Sequence, residues 1–499
     1  MTTPPRYVTI HGHFYQPPRE NPYTGAVPLQ PSASPHHDWN ARVTAECYRP
    51  NARARRLDAT GALLREVSNY ERISFDFGPT LLSWLEVEAP DVYLDILAAD
   101  RAGVASRGHG PAMAQAYNHM ILPLACDRDR RTQVRWGKRD FEHRFGRAPE
   151  GMWLPETAVC TATLEALVDE GIRFTVLAPR QASHARDSPR HAWRDVGGGR
   201  IDPSRAYLVR LPSGRAIAVF FYDGPVSQGV AFEGLLHQGE RLASRLSALF
   251  HGRDEAALVH IATDGETYGH HHAKGEMALA HALELLAAEG IAPVSYAEFL
   301  ARHPPTSEAR IVERSSWSCE HGVERWRSDC GCSMGTPGFR QAWRAPLRRA
   351  FDGLRDALAR SFEQAAGPRL RDPWAARDAW IDVVLSPDRA ADFFDVHAVP
   401  TLTHEGRRRA ALLLEAQRHA MLMYTSCAWF FDDLAGLEPT QGLVYAGRAV
   451  ELARAATGVD LWPVLAAGLR AAESNLPGKG NGEDLLVRAM AEAHAAASR

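Results

Sequence analysis

The chain has 499 residues, of which 45% are hydrophobic and 23% charged, with a formal net charge of −3. That length exceeds what one small core supports and predicts about two or three domains, while the composition is that of a soluble globular protein and the charge gives no footing for a nucleic-acid partner. No run of 18 apolar residues is present, which excludes a helical membrane span, and MTTPPRYVTIHGH lacks the charged and apolar regions of a signal peptide. The expectation is a cytoplasmic protein. The seven cysteines, scattered except for Cys319, Cys330 and Cys332, suit a reducing compartment better than a disulfide framework.

From residue 6 to about 300, short apolar runs alternate with helical stretches. RYVTI (6–10), RISFDF (72–77), GMWL (151–154), GIRFTVLAP (171–179), ALVHIA (257–262) and APVSY (292–296) read as strands. Between them ATLEALVDEG (162–171) puts Leu164, Leu167 and Val168 on one helix face and ends on Gly171. Strand–helix alternation predicts an α/β fold with a parallel sheet, and the position of each polar motif just after a strand favours a barrel. AYLVRL (206–211) and AIAVFFYDG (216–224), joined by PSGR, read as a β-hairpin inserted near 206–222. GGGR (197–200) has no strand–GxGxxG–helix context and predicts no dinucleotide site. Residues 303–340 are irregular and rich in Trp and Cys, a connecting segment expected over the cleft. From 341 to 499 the pattern is nearly all helical, so the expected division is a barrel over 1–302 and a C-terminal helical domain over 341–499.

Four segments carry chemistry. IHGHFYQPPREN (10–21) ends a strand in His11 and His13, whose i,i+2 spacing aims both side chains to one face. RGHGPAMAQAYNH (107–119) sets His109 in a Gly-flanked turn, and EGMWLPETAV (150–159) sets Glu156 just past a strand beside Trp153. TDGETYGHHH (263–272) directly follows a buried strand and gathers Asp264, Glu266, Tyr268 and His270–His272. A helix-capping Asp264 and a solvated His turn are the plainer readings, but neither explains so many polar groups with no spacer after a strand. Two carboxylates on the ends of different strands, flanked by imidazoles and by aromatic rings that stack on sugars (Tyr15, Trp153, Tyr268), fit glycosidic chemistry.

Two further stretches are loaded. WSCEHGVERWRSDCGC (317–332) offers Trp317 and Trp326 for sugar contact, and Cys319, His321, Cys330 and Cys332 as the one zinc candidate in a chain otherwise read as having no metal and no cofactor. Its spacing departs from the common C-x2-C form, and the plainer reading is a Trp-rich loop with reduced thiols. TSCAWFFDD (425–433) places Trp429 and Asp432 where they complete an acceptor subsite or simply form helix core.

Together HGHFYQPP, RGHG, GMWLPE and TDGETYGHH resemble the ordered conserved regions of glycoside hydrolase family 57, more narrowly its bacterial branch of unassigned specificity. The resemblance runs from residue 8 to about 335. It implies an incomplete (β/α)7 barrel with a C-terminal all-helical domain and a retaining mechanism on α-glucans or maltooligosaccharides. By motif it implies Glu156 as nucleophile and Asp264 as general acid/base, with His11, His13 and His109 lining the sugar subsite; beside that pair, Glu266 and His270 read as supporting groups. HFYQPP carries two residues more than the family's HQP, which leaves the role of Gln16 open. Glu266, two residues past Asp264, competes for the acid/base role. Hydrolase, 4-α-glucanotransferase and branching activity are not distinguished by these motifs, nor is oligomeric state. A metal-dependent carbohydrate deacetylase holding its ion on His11, His13 and an Asp, and a non-catalytic glycan-binding protein, are the alternatives.

Overall fold

The computed structural model describes residues 4–253 and 255–498. Seven parallel strands line its barrel: β1 (Arg6–Phe14), β2 (Ser74–Phe77), β3 (Ala112–Gln115), β4 (Met152–Trp153), β5 (Phe174–Leu177), β6 (Ala216–Phe221) and β7 (Ala257–Asp264), and a further short strand, Ile291–Pro293, pairs parallel with the start of β1. A continuous ladder runs β7–β1–β2–β3–β4. A parallel bridge from Gly151 to Phe174 carries it to β5, which pairs with β6. Every residue of β2, β3 and β5 is buried, as strands covered on both faces require. Among the described residues no ladder joins β6 to β7. The fold is therefore α/β, an incomplete (β/α)7 barrel.

Ring contacts show how far the sheet is rolled. Trp153 on β4 stacks on His11 of β1 at 4.6 Å between centroids. Strands three places apart in a flat sheet stand about 14 Å from each other, so these side chains meet only across the interior of a rolled sheet. Helices Pro79–Glu88 and Pro90–Arg107 follow β2, Thr161–Asp169 follows β4, Gly224–Phe232 and Gly239–Ser247 follow β6, and Gly275–Ala288 follows β7. The first two start on proline, whose fixed φ suits the first helical turn.

Two local expectations change. AIAVFF is not one arm of an inserted hairpin alone: it pairs antiparallel with Ala206–Arg210 and parallel with β5, so it is itself the sixth barrel strand. Its residues after Ala216 are all buried, the requirement for an inner strand. β3 lies in AMAQ, a stretch of four residues without β-branched side chains, and its strand state comes from pairing with β2 and β4 rather than from propensity.

The chain divides into two compact units. The first comprises residues 1–16, 29–116 and 141–317; the second comprises residues 17–28, 117–140 and the chain from 318 onward. The second unit is helical, with Arg344–Ala366, His404–Leu422, Leu437–Thr457 and Gly482–Ala497 its longest C-terminal helices. Along Arg344–Ala366 the residues Leu347, Phe351, Leu354 and Leu358 are buried, the three-and-four spacing of a core-facing stripe. Among the described residues no helix is long and apolar enough to cross a membrane.

Candidate active site

The site starts from β1. His11 and His13 point to the same interior face and stand in register with Ser74 and Asp76 of β2. Asp76 is fully buried and accepts a hydrogen bond on each oxygen: from His11 Nε2 at 3.0 Å and from His13 Nδ1 at 2.9 Å. His11 Nδ1 lies 3.1 Å from Ser74 Oγ. The two imidazoles differ in charge. Burial drives His11 down, and the hydrogen bond and charge of Asp76 only partly oppose it. For His13 burial also pulls down, but Asp76, with Asp264 and Glu266 adding to it, overcomes that and raises the ring to about 9. At neutral pH the set is a neutral His11 and a cationic His13 sharing one carboxylate. Trp153 closes one side, stacked on His13 at 5.2 Å as well as on His11.

Glu156 lies in the turn that ends β4. Its φ of 58° and the 49° of Thr157 are in the left-handed region, where a residue with a Cβ costs about 1–2 kcal/mol. The surroundings over-determine this backbone. Thr157 and Ala158 amides donate to the carbonyls of Leu154 and Pro155, and Trp317 N donates to the Glu156 carbonyl at 3.0 Å. Gln181 accepts from Thr157 Oγ1 and donates back to the Thr157 carbonyl, both at 2.8 Å. The Trp317 indole donates to Glu156 Oε2 at 3.0 Å and meets Trp153 edge-on at 5.2 Å. Arg180 in turn donates to the Ser316 and Trp317 carbonyls. The carboxylate is thus presented on a strained, rigid turn with one oxygen oriented by an indole.

Asp264 ends β7 in register with His13, and it is the only exposed residue of that strand. Solvent reaches it, yet protein crowds it closely. Burial raises its carboxyl pKa, the charge of His13 opposes that rise, and the charge of Asp76 adds to it. Glu266 is buried: its Oε1 accepts from Tyr48 Oη at 2.6 Å and from Tyr15 N at 3.0 Å. Burial, helped by Asp264, raises it to about 7 against the Tyr48 hydrogen bond. Gly265 between the two acids lies where a Cβ would collide with the Phe14 ring, so the chain passes β1 only as glycine.

The structure thus brings His11, His13, Trp153, Glu156, Asp264, Glu266 and Trp317 to one end of the barrel. Gln16 is half-buried two residues past β1. Tyr268 is fully buried with its hydroxyl accepting from Thr263, so its ring presents no open face to a sugar. His270 pairs with Glu46. His109 is not brought to the cluster: it precedes β3, and its Nδ1 lies 2.8 Å from Glu150, which precedes β4, so both mark the N-terminal ends of their strands. Trp326, Trp429 and Asp432 belong to the second unit. Trp326 and Trp429 are buried there, the latter stacked on Tyr424 and edge-on to Phe351. Asp432 clamps the Met334 and Thr336 amides.

Sequence reasoning missed Asp76, Tyr48, Arg180 and Gln181. Only Asp76 left a signal, an acid inside the apolar run RISFDF. Its importance is measurable. Asp76→Ala is expected to lower unfolding free energy by about 3–5 kcal/mol at neutral pH, because a buried cationic His13 loses its partner. Since His13 titrates higher folded than unfolded, its contribution is complete below about pH 6.5 and lost as pH rises through about 9, a change of about 3 kcal/mol. Denaturant titrations across that window check both, and the decline should vanish in the variant.

A sequence model described as glycosyl hydrolase family 57 matches residues 47–312, and one described as a domain of unknown function matches residues 339–499. Alpha-amylase 1 of Dictyoglomus thermophilum is 25% identical over 197 residues, 40% of this chain. The match spans only 26% of that relative's length. Among solved structures, an exo-type maltose-forming amylase from Pyrococcus sp. ST04 superposes with a TM-score of 0.72 at 16% identity, covering 97% of this chain and 91% of that one. A branching enzyme from Pyrococcus horikoshii gives 0.57 at 16% identity, over 98% and 94% of the two chains. A 4-alpha-glucanotransferase from Thermococcus litoralis gives 0.53 at 16% identity, over 90% and 60%. At such identities the structural likeness is one of fold.

Proposed function

We propose that this chain, which belongs to glycosyl hydrolase family 57, cleaves α-1,4 or α-1,6 glycosidic bonds of α-glucans or maltooligosaccharides by double displacement, passing the sugar to water or to another sugar hydroxyl. The observation that carries the reading is Glu156, a carboxylate held on a strained turn at the end of β4 with Trp317 orienting one oxygen. Such a group is built to attack an anomeric carbon from a fixed direction. Asp264 is assigned the proton donor. Its accessible position and raised pKa suit an acid that gives a proton to the leaving oxygen and then takes one from the acceptor. Glu266 suits that task less well, because it is buried with one oxygen already committed to Tyr48 and the Tyr15 amide. Cationic His13 beside Asp264 stabilises the carboxylate once the proton has left.

The substrate class rests on family membership and on the activities in the relatives' names: amylase, branching enzyme and glucanotransferase. The deacetylase alternative has less support. It needs only His11, His13 and Asp76, which the fold does bring together, and it leaves the Glu156 carboxylate on its strained turn without a task.

The test is to incubate the protein with maltoheptaose and with glycogen and to follow chain length and linkage. Shorter products alone identify hydrolysis, longer and shorter products together identify transfer, and new α-1,6 linkages identify branching. Deacetylation of an acetylated oligosaccharide, abolished by chelation and with no glucan turnover, would overturn the reading.

A further inference from the structure

The glycosidic chemistry leaves one cluster of ligating side chains unused. Cys319, His321, Cys330 and Cys332, all in the second unit, bring one donor atom each to within 4.8 Å of one another. Cys319 Sγ lies 4.0 Å from Cys330 Sγ and 3.9 Å from Cys332 Sγ, and Cys332 Sγ lies 3.6 Å from His321 Nδ1. A zinc ion bonded at about 2.3 Å to sulfur and about 2.0–2.1 Å to imidazole nitrogen sets tetrahedral ligands with S···S near 3.8 Å and S···N near 3.6 Å. A disulfide needs sulfurs at about 2.05 Å and would strand the third thiol.

The backbone is arranged for convergence. Gly322 N donates to the Cys319 carbonyl at 3.2 Å, closing a turn that carries Cys319 and His321. Gly331, at φ 83°, reverses the chain between Cys330 and Cys332, a conformation only glycine adopts freely. Side chains then pin this irregular segment. Arg325 donates to the Ser318 carbonyl at 3.2 Å and Arg344 to the Cys332 carbonyl at 2.7 Å, while Asp432 takes the Met334 and Thr336 amides.

We propose that Cys319, His321, Cys330 and Cys332 bind one zinc ion that holds the 318–336 segment in place. A sulfur-rich tetrahedral set selects zinc over harder divalent ions, and four protein ligands leave no open position, so the ion is structural rather than catalytic. Binding releases the thiol protons to solvent as the three thiolates form.

The 499-residue chain, purified without a metal-affinity step, should contain about one zinc per chain by elemental mass spectrometry. Removing the ion with phenanthroline should lower the melting temperature by about 5–10 °C, and added zinc should restore it. Cobalt substitution should produce the charge-transfer and visible bands of a tetrahedral thiolate site. Cys330→Ser and His321→Ala should each lose zinc; His321 is exposed, so its variant keeps the fold if the cysteine variant does not. Full zinc content in both variants overturns the proposal. So does a zinc-free protein whose three thiols react freely with a thiol reagent and whose melting temperature ignores zinc and chelator, or a disulfide among them found by mass spectrometry.

Discussion

Glu156→Gln is expected to reduce turnover of any α-glucan by at least about 10⁴-fold while leaving the fold intact, since the amide keeps the Trp317 hydrogen bond but cannot attack. The more telling form is Glu156→Ala with azide. The ion fills the space of the lost carboxylate and attacks the anomeric carbon from the same side, giving a β-glycosyl azide from an α-linked substrate. Activity in Glu156→Gln within tenfold of the unsubstituted chain, or azide rescue with retained configuration, would remove Glu156 from the nucleophile position. The left-handed backbone adds a structural control. Because Thr157 and Trp317 hold the turn from both sides, neither substitution should shift the melting temperature by more than about 4 °C.

Asp264→Asn is expected to lose about 10²–10⁴-fold on unactivated glucans, the usual contribution of a positioned acid/base. The loss should nearly vanish for the first step of an aryl glycoside whose phenol leaves without a proton. Azide should then resolve the glycosyl-enzyme and yield an α-glycosyl azide, the opposite anomer to that from Glu156→Ala. Measuring both anomers by NMR assigns the two carboxylates independently. The same experiment on Glu266→Gln decides between the neighbouring acids. With its carboxyl turned to Tyr48 and the Tyr15 amide, that substitution should act mainly through the position of Tyr15 and give no azide product. A leaving-group-dependent loss in Glu266→Gln and none in Asp264→Asn would exchange their roles.

The barrel was legible because parallel strands covered on both faces are apolar over most of their length. ALVHIA and GIRFTVLAP could be read as strands without knowledge of their partners. AMAQ could not, since four residues with no β-branched or aromatic side chain become a strand only when β2 and β4 flank them. The same limit applied to AIAVFF, whose two faces look alike in sequence, so hairpin arm and barrel strand differ only in which neighbours arrive. At the candidate site, the acids and imidazoles were visible because each directly follows an apolar run. Their partners were harder to see. Asp76 is one acid among many until β2 sets it between His11 and His13, and Arg180 reaches the Trp317 loop from another part of the chain.

What the sequence determined by itself was local: strand periodicity, the glycine turns, and which residue types stand at strand ends. The spacing of two histidines by one residue on a strand commits both to one face before any fold exists. Only the tertiary structure decided what that face meets. It put His109 beside Glu150 at the N-terminal ends of β3 and β4, sent Trp429 into the helical core, and drew two cysteine-bearing turns to within bonding reach of one ion. Long-range register and burial shift the titration of His11, His13, Asp264 and Glu266. Those quantities depend on groups as far apart in the chain as His13 and Asp264, which no local pattern encodes.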